Sequence, residues 1–407
     1  MKTAGILRLN RKKREEVLIS TPQNPYFEAV SERFGILQVI LYLSLLAFVV
    51  FAFLGNTELI TYRNFYYFIK DLNASAETMS VFSNDAVNYP ANEEQSFTLY
   101  RKGLAVAGNS AVTVFTATGR QTVSRNINYQ NPVAVGSGKY LLVYELGGTQ
   151  YSLYNSYTQI HTGTTEFAIT GAAVSESGMY ALVSSTQEYP SAVFLYSRNF
   201  SLINRYLKAG YVTGVAINKK GTAVAVLTSA PQGGSFSTSL MLCEPGATEA
   251  VSEEKIGDSV GLSCAFASSG QISVLCSGSV SFFSSDGKFL SEMSFDGKMI
   301  TCAELGDDGA VLCLSSEGNS QKKWVIVFDK NGKVLYNEGR IGIIDAICRS
   351  GFSVYLQNSE GITRIRLPDG EEKFLSCSTD QTRILAVSEN EVLLCSSKKA
   401  VYINFNS

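Results

Sequence analysis

The residues able to do chemistry in this chain are few and badly spaced for it. There is one histidine, His161, in "YTQIHTGTTEF", so a nucleophile–base–acid triad has a single candidate base. Eight cysteines all lie at or beyond Cys243, yet no C-x-x-C occurs, and Cys and His are too sparse for a zinc centre. A Ser–Lys dyad has the residue types but no motif pointing to it. No glycine-rich loop opens a helix, which removes phosphate cradling. Acidic turns recur at "GDDG" (306–309), "SSDGK" (284–288), "SFDGK" (294–298) and "DKNG" (329–332). Calcium needs several oxygens at the fixed spacing of D-x-[DN]-x-[DN]-G, and none of the four supplies it. Asp and Gly are what tight turns prefer, so turn chemistry accounts for them.

One cysteine pair stands apart. Cys302 and Cys313 flank Asp307-Asp308, and a two-residue hairpin there sets them opposite each other, within the span of a disulfide. Cys264 and Cys276 are similar but one position out of register. Without an oxidising compartment the pair remains as thiols.

The elements that position these residues are strands. In 407 residues, 45% are hydrophobic and 17% charged, with 21 Tyr and 23 Phe against one Trp, which makes the chain globular and β-rich. The formal net charge of −2 speaks against nucleic acid as a partner. "VIVFDKNGKVLY" (325–336) is an Asn-Gly hairpin, and similar ones return along the chain. First and second strands of a unit recur in "AAVSESGMYALVSS" (172–185), "GVAINKKGTAVAVLTS" (214–229), "LSCAFASSGQISVLCSG" (262–278) and "ITCAELGDDGAVLCLSS" (300–316). Third and fourth strands recur in "AVTVFTATGRQTVSRNI" (111–127), "AVFLYSRNFSLINRYL" (192–207) and "VSFFSSDGKFLSEMSF" (280–295). A repeat of roughly 35–45 residues is that of four-stranded propeller blades. Each such unit has two apolar faces and hides them only by stacking radially.

The spacing predicts an all-β chain, a β-propeller with units beginning near 97, 132, 169, 211, 259, 298, 343 and 380. The last unit holds three strands. Eight blades closed by an N-terminal strand, with "ETMSVFS" (77–83) as donor, are favoured over seven, and a pair of β-sandwiches is the rival fold. His161 then falls on an outer strand as a polar rim residue.

Upstream, Ile36 to Leu54 is a 19-residue run without charge, roughly 28 Å as a helix. It reads as a transmembrane helix joining a basic tail (1–35) to an aromatic linker (55–74) and the propeller (75–407). Lys2, Arg8, Arg11, Lys12, Lys13, Arg14 and Arg33 precede it, so the positive-inside rule places the N-terminus in the cytoplasm and the propeller outside. The lipid bilayer is then a partner through 36–54, and Tyr62, Phe65, Tyr66, Tyr67 and Phe68 form an interfacial belt.

The repeat resembles the broad superfamily of WD-like and quinoprotein-like propellers. With its basic tail and apolar run the chain is similar to bacterial single-pass membrane-anchored propeller proteins. The Gly-His and Trp-Asp pairs of WD repeats are missing, as is the S-x-D-x-G-x-x-W turn of sialidase-like propellers. The quinoprotein cofactor stacks on a Trp and a ring of adjacent cysteines, and no Cys-Cys pair exists here. The resemblance therefore implies a fold, no cofactor and no enzyme.

The expected function is a binding or assembly scaffold of the cell envelope, with a protein or envelope polymer as partner. A carbohydrate-active enzyme with acidic residues near the axis is the alternative. The longest insertions, 229–239, 184–192 and 316–323, all join second and third strands and emerge on one face. Their candidate binding residues are Pro231, Gln232, Phe236, Glu188, Tyr189, Asn319 and Lys322.

Overall fold

Eight four-stranded antiparallel sheets make up the body of this computed structural model. The structure describes residues 25–55 and 86–406, except 156, 157, 248, 317, 318, 368 and 378–380. The chain divides into two units, Met1–Ser75 and Ala76–Ser407.

Blades 1 to 8 start at Gln95, Pro132, Gly171, Tyr211, Gly261, Met299, Ala346 and Gln381. In each the strands follow one another from the inside outward. The inner strand of every blade packs on that of the next, and Gln95–Tyr100 of blade 1 packs on Gln381–Ser388 of blade 8, which closes the ring. Blade 8 takes its fourth strand from the N-terminal side: Val87 and Asn88 pair with Ala400 and Lys399. The closure is of the expected kind, but the donor is Val87–Asn88, and 77–83 lies outside the described residues.

Burial explains the pattern of each strand. Second strands such as Tyr180–Ser184, Ile272–Cys276 and Ser353–Gln357 are buried along their whole length, because both faces lie against neighbouring blades. Outer strands such as Glu372–Ser376 alternate between exposed and half-buried. Apolar side chains gather between blades. Between blades 4 and 5, Ala225, Leu227, Leu240 and Leu242 meet Ile272, Val274, Cys276 and Phe283. Between blades 8 and 1, Leu393, Cys395 and Tyr402 meet Val87, Tyr89, Leu104 and Phe115. Each junction owns one such layer, so no blade keeps a core without its neighbours.

The hairpin at 325–336 shows how local chemistry serves this plan. The Asp329 carboxylate accepts the amides of Asn331 (2.9 Å) and Lys333 (2.8 Å). Gly332 turns the chain at φ +82, and a Cβ there would meet Ser291 Oγ at 2.0 Å. Turn formation uses this acidic residue, as the sequence reading holds for such turns.

The N-terminal helix, α1, spans Pro25–Gly55. Here the anchor expectation is corrected. Among the described residues no helix is long and apolar enough to cross a membrane. The single-pass placement with an extracytoplasmic propeller, and the bilayer as partner through 36–54, fall with it. Tyr62, Phe65, Tyr66, Tyr67 and Phe68 lie outside the described residues.

Candidate functional site

In a four-stranded antiparallel blade the chain enters the inner strand at one end of the disc. The links between second and third strands, and those from one blade to the next, therefore share that entry face. The remaining turns share the opposite face.

The entry face carries the three insertions, and two of them are strand rather than loop. Val224–Gln232 and Ser235–Cys243 run on as a long hairpin, with Pro231 opposite Phe236 and Gln232 opposite Ser235. Gly233 and Gly234, both at positive φ, make its tip. Asn319 starts the third strand of blade 6 and pairs with Ser316; Lys322 lies in the same strand, Asn319–Phe328. Lys322 Nζ stands 4.9 Å from the centre of the Trp324 ring, and Lys298 Nζ stands 5.3 Å from it. Neither lysine makes an ion pair among the described residues. Glu188 is exposed, while Tyr189 is half-buried and closes a turn with Thr186 (3.0 Å). Both line a cleft of about 490 Å³ between blades 2 and 3, away from the other two hairpins.

The sequence reading missed a row of exposed apolar side chains beside those hairpins. Tyr211, Leu262 and Met299 lie at the start of the inner strands of blades 4, 5 and 6, Ile341 ends the outer strand of blade 6, and Ile343 lies in the link to blade 7. Ile341 is 91% exposed, Met299 63% and Tyr211 58%, values that leave these side chains with little protein around them. Phe236 adds a sixth exposed side chain on the same face. The signal was present as an apolar residue at each strand entry, but an apolar residue in a strand reads as core until its cover is known.

The opposite face carries the exposed Phe352 but is tied together by polar contacts. Lys219 of blade 4 reaches Asp307 of blade 6 at 2.6 Å, across blade 5. Asp308 accepts the Gly351 amide (2.8 Å) and Glu389 the Phe352 amide (3.1 Å), so both carboxylates stitch blade 7 to its neighbours.

The inner strands enclose a cavity of about 660 Å³ lined in part by Glu304, Arg383 and Thr98. Burial raises the Glu304 carboxyl to about 7, against the lowering effect of the Arg349 amide and the Arg383 and Arg349 guanidiniums. Glu304 Oε2 accepts that amide at 2.7 Å, and Arg349 itself holds the carbonyls of Phe328 and Gly351. Glycosidase chemistry needs two carboxyl groups free to face a sugar. Glu304 and its neighbour Asp308 each commit an oxygen to blade 7 backbone.

His161 lies on the outer strand Gln159–Thr164, stacked on Phe200 at 4.3 Å and 5°. Burial lowers its pKa. Tyr151 Oη is 3.4 Å from Nε2, so its polar partner is a phenol rather than a nucleophile. Cys302 stands directly opposite Cys313 in the blade 6 register, and both thiols are free. Cys264 and Cys276 pair instead with Val274 and Gly261.

A closed ring of eight four-stranded blades defines the chain's class: it is a β-propeller. Within that class the chain belongs to DUF5711, a family of unknown function whose match covers residues 77–405. Solved structures share the fold at low identity. Chaetomium thermophilum Sqt1, bound to the N-terminus of the ribosomal protein L10, is 12% identical with a TM-score of 0.55, over 79% of this chain and 100% of that one. The C-terminal WD40 domain of Sif2 is 12% identical with a TM-score of 0.55, over 80% and 99%. BamB from Moraxella catarrhalis is 11% identical with a TM-score of 0.50, over 78% and 99%. No curated protein matches the sequence.

Proposed function

We propose that the chain is a non-enzymatic binding scaffold, and that the entry face of blades 4 to 7 holds a polypeptide carrying apolar side chains beside a carboxylate. The observation that carries this reading is the run of exposed apolar residues on three consecutive blades and the link to the next, continued by the long hairpin bearing Phe236. Exposed apolar area concentrated on one face is what a partner covers. Charge complementarity sets the second requirement: Lys298 and Lys322 flank Trp324 and make no ion pair among the described residues. A propeller can serve this way, as the L10-bound Sqt1 structure illustrates.

The carbohydrate-active alternative gains less support, since Glu304 in the central cavity and Asp308 near it are each engaged by a backbone amide.

A random peptide display selection against the full chain tests the proposal. Recovered peptides should combine apolar residues with Asp or Glu. Ile341→Asp together with Met299→Asp should weaken their binding at least tenfold while leaving stability nearly unchanged, because both side chains are exposed. Peptides insensitive to that pair but lost on Phe352→Asp, on the opposite face, would refute it.

A further inference from the structure

The junction of blades 6 and 7 holds a second chemical centre, independent of partner binding. Cys302 and Cys313 face each other across the strands Met299–Gly306 and Gly309–Ser316. Directly opposed residues of an antiparallel pair have Cα atoms about 4.5–5.5 Å apart, within the roughly 4.4–6.8 Å that a disulfide spans. Cys313 is fully buried, whereas Cys302 is half-buried and offers the way in.

A cation completes the arrangement. Lys323 enters the same blade from the third strand and is 6% exposed. Its Nζ donates to Thr301 Oγ1 at 3.0 Å, and it makes no ion pair among the described residues. A buried ammonium calls for a compensating anion. The groups placed to supply one are the two sulfurs, both of which feel its charge, with the Asp345 carboxylate also acting on Cys302.

We propose that Cys302 and Cys313 are a redox-active dithiol that hydroperoxides close to a disulfide.

Hydrogen bonding between the sulfurs, with Lys323 and Thr301 beside them, lowers the Cys313 thiol. The same bond, burial and the Asp345 carboxylate raise that of Cys302. The two thiols therefore lose their protons in separate steps, and the one proton left after the first lies between the sulfurs. Passing that shared proton to Cys313 leaves the thiolate on the accessible Cys302. Its sulfur attacks a peroxide oxygen, the O–O bond breaks, and the departing hydroxide takes a proton to become water. Cys313 then displaces hydroxide from the Cys302 sulfenic acid, which forms the S–S bond and a second water. Two thiols are oxidised and one peroxide is reduced. Trp324, the chain's single tryptophan, lies opposite Leu314, next along the strand from Cys313, and its fluorescence reports the change.

The test treats the full chain with stoichiometric hydrogen peroxide, alkylates the remaining thiols and maps them by mass spectrometry. The expected result is a loss of two hydrogens confined to the 302–313 pair, reversed by dithiothreitol and accompanied by a shift in Trp324 emission. Both cysteines alkylated as freely as the other six, or bridges spread equally over other pairs, would overturn the proposal. Substituting buried Cys313 risks the fold, so Lys323→Met provides the second arm. It should slow bridge formation about tenfold at neutral pH and move its pH midpoint upward; an unchanged rate and midpoint would count against the dithiol.

Discussion

Tyr89→Ala should destabilise the propeller by about 3 kcal/mol, in line with large-to-small changes of buried aromatics. Tyr89 is the residue that fastens the ring. Its amide donates to the Lys398 carbonyl at 3.0 Å and its hydroxyl to the Ser396 carbonyl at 2.7 Å, both in blade 8. Its ring meets Phe97 at 5.7 Å and Phe115 at 6.4 Å, both in blade 1. One side chain thus spans the seam beside a single short strand pair of two residue pairs, Val87–Ala400 and Asn88–Lys399. Tyr89→Phe keeps the ring and loses only the hydroxyl bond, so about 1 kcal/mol is expected. Urea unfolding of the two variants checks the ratio. A loss under 0.5 kcal/mol for alanine (about the scatter of ordinary surface changes) would mean that the seam does not limit stability.

Glu304→Gln should stabilise the protein above neutral pH and leave it little changed near pH 4. The Glu304 carboxyl sits at about 7 in the folded chain against an ordinary 4.5. The folded state therefore holds this proton more tightly than the unfolded state. The resulting stability is fully present below about pH 4.5 and is lost as pH rises through about 7. Glutamine keeps an oxygen for the Arg349 amide and has no proton to lose. The wild type should give up on the order of 1–3 kcal/mol across that window, and the variant should show a flatter profile. Thermal melts of both proteins from pH 4 to pH 8 measure it. Parallel profiles would place the titrating group elsewhere.

Much of the ring was legible because each blade repeats the same physical problem. Starts expected near 132, 211, 298 and 380 fall at Pro132, Tyr211, Met299 and Gln381. Turn chemistry and alternation set those positions locally. The closing strand was harder to place, since a two-residue pairing such as Val87–Asn88 carries no periodicity. Pro231 and Phe236 were read as loop because proline and paired glycines usually mark one, whereas here the glycines make the tip of a hairpin. The row from Tyr211 to Ile343 escaped notice for a different reason. Apolar residues at strand entries look like core until the structure shows what does, and does not, cover them. Burial itself was invisible at Glu304 and Lys323, where charge in the sequence reads as surface.

Site-specific photocrosslinking tests the binding face most directly. A benzophenone amino acid replaces Ile341 in one variant and Phe352 in another, exposed positions at 91% and 57% on opposite faces. The account predicts that the probe at 341 crosslinks a defined polypeptide through an apolar segment flanked by a carboxylate, and that Lys298→Glu with Lys322→Glu abolishes the adduct. A defined adduct formed from 352 and absent from 341 would contradict it.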